Sequence, residues 1–362
     1  MKRSILSKED KDLLYELSLA FGPSGCETEV TSIIKREISP YADSVSEDRL
    51  GNLTAVIRSG NKNAKKLMLS SHTDEVGFMI TEIEENGILN FACLGGIDES
   101  VLLGKKVLIG KNRVRGVISS TPFHLIKKAD RLKKPDIDSL YIDIGTESRE
   151  ETESLVSIGD FAVFDSSFFE MGQYKIKGKA LDDRIGNFIM IKTLKRLRER
   201  INDGKALQQD VFFSFSVREE LGYSGAFAAA NFTMPDMAIV LETTAVADIF
   251  GVAEHLSVAK LGNGGVISPL DRGTMYPKKC VDFALDTAKE YGVPVQIKKF
   301  VSGGNDASHI SRSVGGVPTL ALSAPTRYLH SPACVADTRD IVYMEELLYR
   351  MINSKSITEV MK

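Results

Sequence analysis

The stretch KKLMLSSHTDEVGFM, residues 65–79, joins two kinds of chain. Leu67, Met68 and Leu69 form the short apolar run of a strand buried on both faces, and the run leads into His72 and Asp74. The twofold period of a strand puts positions 72 and 74 on one face, so a carboxylate can orient the imidazole as it does for a metal-ligating histidine. A histidine merely satisfied at a strand end is the alternative. From Glu75 the texture changes: VGFMITEIEENGILNFACL (76–94) sets Asn86-Gly87 between two alternating segments, a hairpin signal.

The same strand-turn-strand pattern recurs in KKVLIGKNRVRGVISS (105–120), and LYIDIG (140–145) and DFAVF (160–164) add short strands. Residues 75–168 thus read as a small β-rich domain inserted into the chain. On either side, 1–74 and 169–362 alternate helix and strand. Helices are expected over 8–20, 27–38, 184–200 and 277–290 and from about 343, a turn feeding a strand over 48–57, and strands over 67–71, 211–217, 237–241, 294–299 and 317–323. Val30, Ile33, Ile34 and Ile38 form the inward stripe of the second helix, and Ile185, Phe188, Ile191, Leu194 and Leu197 that of the third. Such alternation implies an α/β domain around a largely parallel sheet.

The bulk numbers suit this division. A chain of 362 residues exceeds the roughly 250–300 at which single cores stop growing. With 43% hydrophobic and 26% charged residues and a net charge of -3, it is an ordinary soluble composition without the basic footprint of a nucleic-acid binder. Clusters such as KTLKRLRER (192–200) read as the solvated face of a helix. No run approaches the roughly 18 apolar residues of a membrane span, and the first residues lack the apolar core of a secretory signal. Cys26, Cys93, Cys280 and Cys334 are scattered without a C-x-x-C pair, which argues against a disulfide framework or a thiolate zinc site and for small buried hydrophobes. Cytoplasmic localisation is the expectation.

Several apolar strands end on metal-ligand residue types. KKLMLSSH ends at His72, VFFSFSVREE at Glu219 and Glu220, MAIVLE at Glu242, and PTLALSAPTRYLH runs to His330. In open α/β sheets ligands bind beyond the carboxyl ends of the strands, so separate segments deliver carboxylates and imidazoles to one rim. GKALDDRIGN places Asp182 and Asp183 ahead of the helix over 184–200, where acids equally serve as caps and complement the dipole. Adjacent strand residues point to opposite faces, so Glu219 and Glu220 reach one site only if the chain turns, which Gly222 allows. Two histidines and several carboxylates without a thiolate suit zinc, cobalt or manganese, and a shared carboxylate would build a two-metal site. VSGGNDASHI (301–310) lacks the phosphate-loop pattern and reads as a loop with Asp306 capping the next helix. His124, His255 and His309 show no partner in the sequence.

SSHTDEVGFM, GKALDDRIG, VREELGYSGA, VLETTAVAD and RYLHSP, with GPSGCE (22–27) and DRLGN (48–52) before them, occur in the order that resembles the tetrahedral (TET-type) dinuclear metallo-aminopeptidases. That family includes deblocking and glutamyl aminopeptidases, and some relatives carry the name endoglucanase or cellulase M. The resemblance implies a zinc-peptidase-like (phosphorylase/hydrolase-like) α/β domain whose β-barrel insertion serves assembly into a homo-oligomer, a tetrahedral dodecamer built from dimers. Carried over, it implies one divalent ion on His72, Asp182 and Glu242 and a second on Asp182, Glu220 and His330, with zinc or cobalt, or manganese, as the metal. Glu219 would be the general base and Asp74 the residue orienting His72. The family commonly has Asp where this chain has Glu242, Met where it has Thr73 and Thr where it has Asn305; none of these changes removes a ligating atom type.

The resulting expectation is an aminopeptidase acting on short peptides with a free N-terminus, with Glu219 moving the proton of the attacking water to the leaving amine. One rival is a metal-independent glycosidase, whose two acids flank the bond about 5–9.5 Å apart and need no converging histidines. The other is a non-catalytic metal-binding assembly protein, which would be free to lose Glu219.

Overall fold

In the computed structural model, which describes residues 6–125, 134–222 and 224–362, the chain builds a large mixed sheet flanked by helices and a separate closed barrel. Four strands at the centre of the sheet, in the spatial order Asp210–Ser216, Lys66–His72, Met237–Ala245 and Thr319–Arg327, are mutually parallel. Their residues are almost all buried, which is why they read as continuous apolar runs rather than alternating ones. The flanks are antiparallel: Leu53–Ile57 pairs with Asp210–Ser216, and Cys334–Asp337 with Thr319–Arg327. The expected largely parallel sheet is therefore parallel at its centre and antiparallel towards both edges.

Parallel pairing brings the carboxyl ends of the four strands to one rim, with His72 level with Ser216 and Glu242 level with Ser323. The helix Leu181–Asn202 crosses the sheet, and Ile185, Phe188, Ile191, Leu194 and Leu197 are all buried. Each such side chain stabilises the fold by about 1.5–3 kcal/mol on full burial.

Several expected elements are longer than the sequence indicates, among them the strand Met237–Ala245, expected to stop at 241. The last central strand continues through Pro325 to Arg327 instead of stopping at 323. Pro325 lies where the strand's outer side passes from one antiparallel partner, which reaches Ser323, to another, which begins at Thr326, so the missing N–H interrupts neither ladder. The final long helix starts at Thr338, five residues earlier than expected, because Asp337 caps it by accepting the Arg339 N–H at 3.0 Å. The helix Ser224–Thr233 and the short strands Phe169–Met171, Lys175–Gly178 and Cys334–Asp337 carry too little periodicity to be read beforehand.

The barrel closes through six strands lying between Gly77 and Phe164. The Asn86-Gly87 turn joins the first two, with Gly87 at φ +87°, the left-handed region that favours glycine. Phe78 centres the barrel core, meeting Phe91 and Phe164 edge-to-face with ring centroids 5.2 Å away in each case. Positions 126–133 of the expected insertion lie outside the described residues. All four cysteines are unpaired; Cys280 and Cys334 are buried, but Cys26 and Cys93 are half-buried, contrary to expectation. No described helix is long and apolar enough to cross a membrane.

Candidate metal centre

At the rim, His72, Asp182, Glu219, Glu220, Glu242 and His330 converge. Three overlapping triplets, His72–Asp182–Glu242, Asp182–Glu220–His330 and His72–Glu219–Glu220, each offer donor atoms within 4.8 Å of one another. Asp182 links the first two: His72 Nε2 is 3.4 Å from its Oδ1 and His330 Nε2 is 3.3 Å from its Oδ2. Glu242 Oε1 lies 3.5 Å from His72 Nε2, and Glu220 Oε1 3.2 Å from His330 Nε2.

The two adjacent aspartates divide their labour. Both have non-helical backbone angles at the start of the helix. Asp183 turns inward and accepts the Gly186 N–H at 3.0 Å, the capping role the sequence allowed, whereas Asp182 faces the imidazoles. Glu219 and Glu220 reach one site because the chain leaves the strand after Ser216 and turns, with Arg218 at φ +58° and Gly222 at φ +110°. The turn is held by Asp74, whose two carboxylate oxygens accept the N–H groups of Glu219 and Glu220, each at 3.0 Å, with Ser24 Oγ donating to it as well. Asp74 Oδ1 is 3.4 Å from His72 Nδ1, but that nitrogen also meets the Asp74 main-chain oxygen at 3.1 Å. The residue thus positions the imidazole through backbone and side chain together.

Electrostatically the site calls for positive charge. Burial alone would depress the imidazolium of His72 and of His330, yet the surrounding carboxylates, chiefly Glu242 at His72 and Asp182 and Glu220 at His330, raise both, His330 to about 12. Burial raises the carboxyl of Glu220, that of Glu242 to about 8, and that of Glu219 well above its ordinary range. Burial acts the same way on Asp182, but His330 and His72 overcome it and hold that carboxylate well down. The buried Asp182 Oδ1 and Glu242 Oε2 have no hydrogen-bond partner. Stranding such oxygens costs about 1–3 kcal/mol each, and a divalent cation satisfies them, so the donor set fits oxygen- and nitrogen-bound metals such as zinc, cobalt or manganese.

Asp306 occupies the position before a short helix as expected but does not cap it with its side chain. Asn305 Oδ1 accepts the Ala307 N–H instead, at 2.9 Å, while Asp306 receives the Ser216 hydroxyl at 2.6 Å behind the site. His124, His255 and His309 join none of the triplets; His309 Nδ1 meets Ser308 Oγ at 2.9 Å. Sequence reading missed Ser24, although it lies in GPSGCE, and it missed Gly96. The main-chain oxygen of Gly96 faces His330 Nδ1 at 2.7 Å, a contact with no side-chain signature.

The M42 glutamyl aminopeptidase family model matches residues 51–347. The lysyl aminopeptidase of Pyrococcus furiosus is 31% identical, over 92% of this chain and 93% of its own length. The solved TET aminopeptidase of a marine sediment Thaumarchaeota archaeon superposes with a TM-score of 0.92 at 33% identity, over 97% of this chain and 98% of that one. The TET1 peptidase of Pyrococcus horikoshii, described as assembling into a tetrahedron or a large octahedral shell, gives 0.83 at 32% identity, over 95% and 99%. Sequence, fold and an imidazole–carboxylate cluster at the strand ends agree: this chain belongs to the M42 glutamyl aminopeptidase family of peptide-bond hydrolases.

Proposed function

We propose that the protein is a metal-dependent aminopeptidase with two divalent ions, one held by His72, Asp182 and Glu242 and the other by Asp182, Glu220 and His330. The observation that carries this reading is the pair of donor triplets meeting at Asp182. When bound, the metals polarise the scissile carbonyl and acidify a water. Glu219 takes the proton of the attacking water and returns it to the leaving nitrogen; burial raises its carboxyl well above the ordinary range. Asp74 fixes His72 from one side and the Glu219–Glu220 turn from the other, so general base and ligands keep one geometry. A cavity of about 500 Å³ opens onto the cluster and admits the N-terminal end of a short peptide.

The test is hydrolysis of aminoacyl anilides after chelation and re-addition of zinc, cobalt or manganese, with zinc or cobalt expected to restore most activity. N-acetylation of a peptide substrate should abolish cleavage. Hydrolysis of β-glucan that persists in chelator, without aminopeptidase activity, would overturn the reading in favour of a metal-independent glycosidase.

The chain is also proposed to be a cytoplasmic homo-oligomer, a tetrahedral dodecamer of dimers, with residues 75–168 as an inserted assembly domain between catalytic segments 1–74 and 169–362. The support is the closed barrel between Gly77 and Phe164 and the tetrahedral or octahedral assembly of the Pyrococcus horikoshii relative. A monomer at micromolar concentration in light scattering would refute it.

A further inference from the structure

The strand Asp210–Ser216 ends just before the turn that carries Glu219 and Glu220, so the N–H groups of residues 217–220 lose their sheet partners and need others. Each of the four meets a buried side chain from the segment 1–74. Val217 N–H donates to Asn52 Oδ1 at 3.0 Å and Arg218 N–H to Glu27 Oε1 at 3.2 Å, while those of Glu219 and Glu220 go to Asp74. At the entrance to the turn the Ser216 carbonyl accepts the N–H and the hydroxyl of Thr73, at 2.7 and 2.8 Å.

Asn52 closes the turn from both sides. Its Nδ2 donates to the Gly225 carbonyl at 3.0 Å and to Asp48 Oδ2 at 2.7 Å, so both amide hydrogens are used and the oxygen is left to face Val217. Asp48 also accepts the N–H groups of Leu50, Gly51 and Asn52 at 2.9, 3.0 and 3.0 Å, which fixes the base of the Asn52 side chain. Val217 and Gly225 are held so close that a Cβ on Gly225 would lie 2.1 Å from the Val217 carbonyl oxygen. Glu27 Oε1 is itself anchored by the Gly25 N–H at 2.7 Å, and Glu27 belongs to none of the donor triplets. Thus GPSGCE and DRLGN supply no metal donor; their polar side chains Glu27 and Asn52 serve the turn, as Ser24 does through Asp74.

We propose that Asn52 and Glu27 are positioning residues for the general base: together with Asp74 they hold the main chain of residues 217–220, and through it the carboxylate of Glu219, beside the metal cluster. This rests on the reading of Glu219 as base and Glu220 as metal ligand given above. A base on an unsupported turn samples many placements, and a shift of about 1 Å costs about 100-fold in rate. Loss of one clamp should therefore act on turnover more than on substrate binding.

The experiment measures kcat, KM, metal content and thermal midpoint on Asn52→Ala, Glu27→Ala, Glu27→Gln and the double variant Asn52→Ala with Glu219→Gln, using aminoacyl anilides at saturating metal, well below the midpoint. Asn52→Ala and Glu27→Ala should lower kcat per metal-loaded enzyme by about 10- to 100-fold, with KM nearly unchanged. Glu27→Gln keeps an oxygen for the Arg218 N–H and should retain most of the rate. Once Glu219→Gln has removed the base, adding Asn52→Ala should cost no more than about 3-fold, because groups that act as a unit are not additive. A lower midpoint with kcat per loaded enzyme unchanged means that the two side chains only stabilise the fold, and the proposal is wrong. It is equally wrong if Asn52→Ala costs as much with Glu219→Gln as without it. Should Asn52→Ala not fold, the Glu27 pair decides: Glu27→Ala slower than Glu27→Gln supports the proposal, and Glu27→Ala as fast as wild type overturns it. Each of these failures leaves the aminopeptidase reading standing, whereas a wild type that hydrolyses no aminoacyl anilide removes both.

Discussion

The main-chain oxygen of Gly96 accepts a hydrogen bond from His330 Nδ1 at 2.7 Å, joining residues 234 positions apart in the chain. Gly96 lies just beyond the barrel strand Leu89–Leu94, so the segment that carries the barrel contributes to the candidate metal centre. With the proton held on Nδ1, the Nε2 lone pair is left for a metal beside Asp182 and Glu220. Deleting the barrel would therefore disturb the geometry of the candidate metal ligands.

The glycine before it gives a direct test. A Cβ at Gly95 would lie 2.8 Å from Val76 Cγ1 and 3.1 Å from Glu220 Oε2, on a backbone at φ +91°. At Gly96 it would meet only His330, at 3.6 Å. Gly95→Ala should displace Glu220 and weaken metal binding or activity by about 10- to 100-fold, as outer-shell changes do, and Gly96→Ala should cost much less. Metal titration of both variants checks this.

Glu219 and Glu220 are adjacent and chemically alike but should fail differently. Glu220→Gln replaces a metal donor beside His330 with a neutral amide, so metal content should fall and excess metal should partly restore turnover. Glu219→Gln leaves the two triplets joined by Asp182 intact, so metal content should hold while kcat drops by about 10²–10⁴, the usual share of a general base. Metal analysis and rates measured together decide it; the opposite pattern would exchange the two roles.

Asp74→Asn turns one acceptor into a donor facing the N–H of Glu219 or Glu220. Loss of that bond in a buried site should destabilise the fold by about 1–3 kcal/mol and loosen the metal site, whereas Ser24→Ala removes one donor to the same carboxylate and should cost about 1 kcal/mol. Chemical unfolding and metal titration of the pair separate the effects. Equal, negligible changes would show that Asp74 does not organise the turn.

Stability should rise with pH on the alkaline side. Burial depresses the Lys179 ammonium to about 8 against an ordinary 10.5, Arg184 adds to this and Glu75, 2.5 Å away, only partly offsets it. Between those values the unfolded chain keeps a proton that the folded chain has released, so the contribution is full above 10.5 and fades as pH falls through 8. In Lys179→Met, where Arg184 still faces Glu75 at 3.4 Å, the unfolding free energy measured from pH 8 to 10.5 should lose that upward slope.

By itself the sequence determined the residue types at the strand ends, the apolar runs behind them and the hairpin texture between them. These are local properties: periods of 2 and 3.6 and turn chemistry act over a few residues. It could place His72, Glu219, Glu220, Glu242 and His330 at the carboxyl ends of strands, because parallel pairing of buried strands sends those ends to one rim. The residue pattern left open which of Asp182 and Asp183 faces the imidazoles, because both positions suit a helix start; the resemblance pointed to Asp182, and the packed surroundings turn that one towards His72 and His330. Only the tertiary structure carried a strand through Pro325, moved Asp306 behind the site and gave Asn305 the capping role. It alone set Gly96 against His330, because that contact depends on strand order and register across distant segments, and no local pattern encodes a backbone oxygen meeting a ring nitrogen so far along the chain.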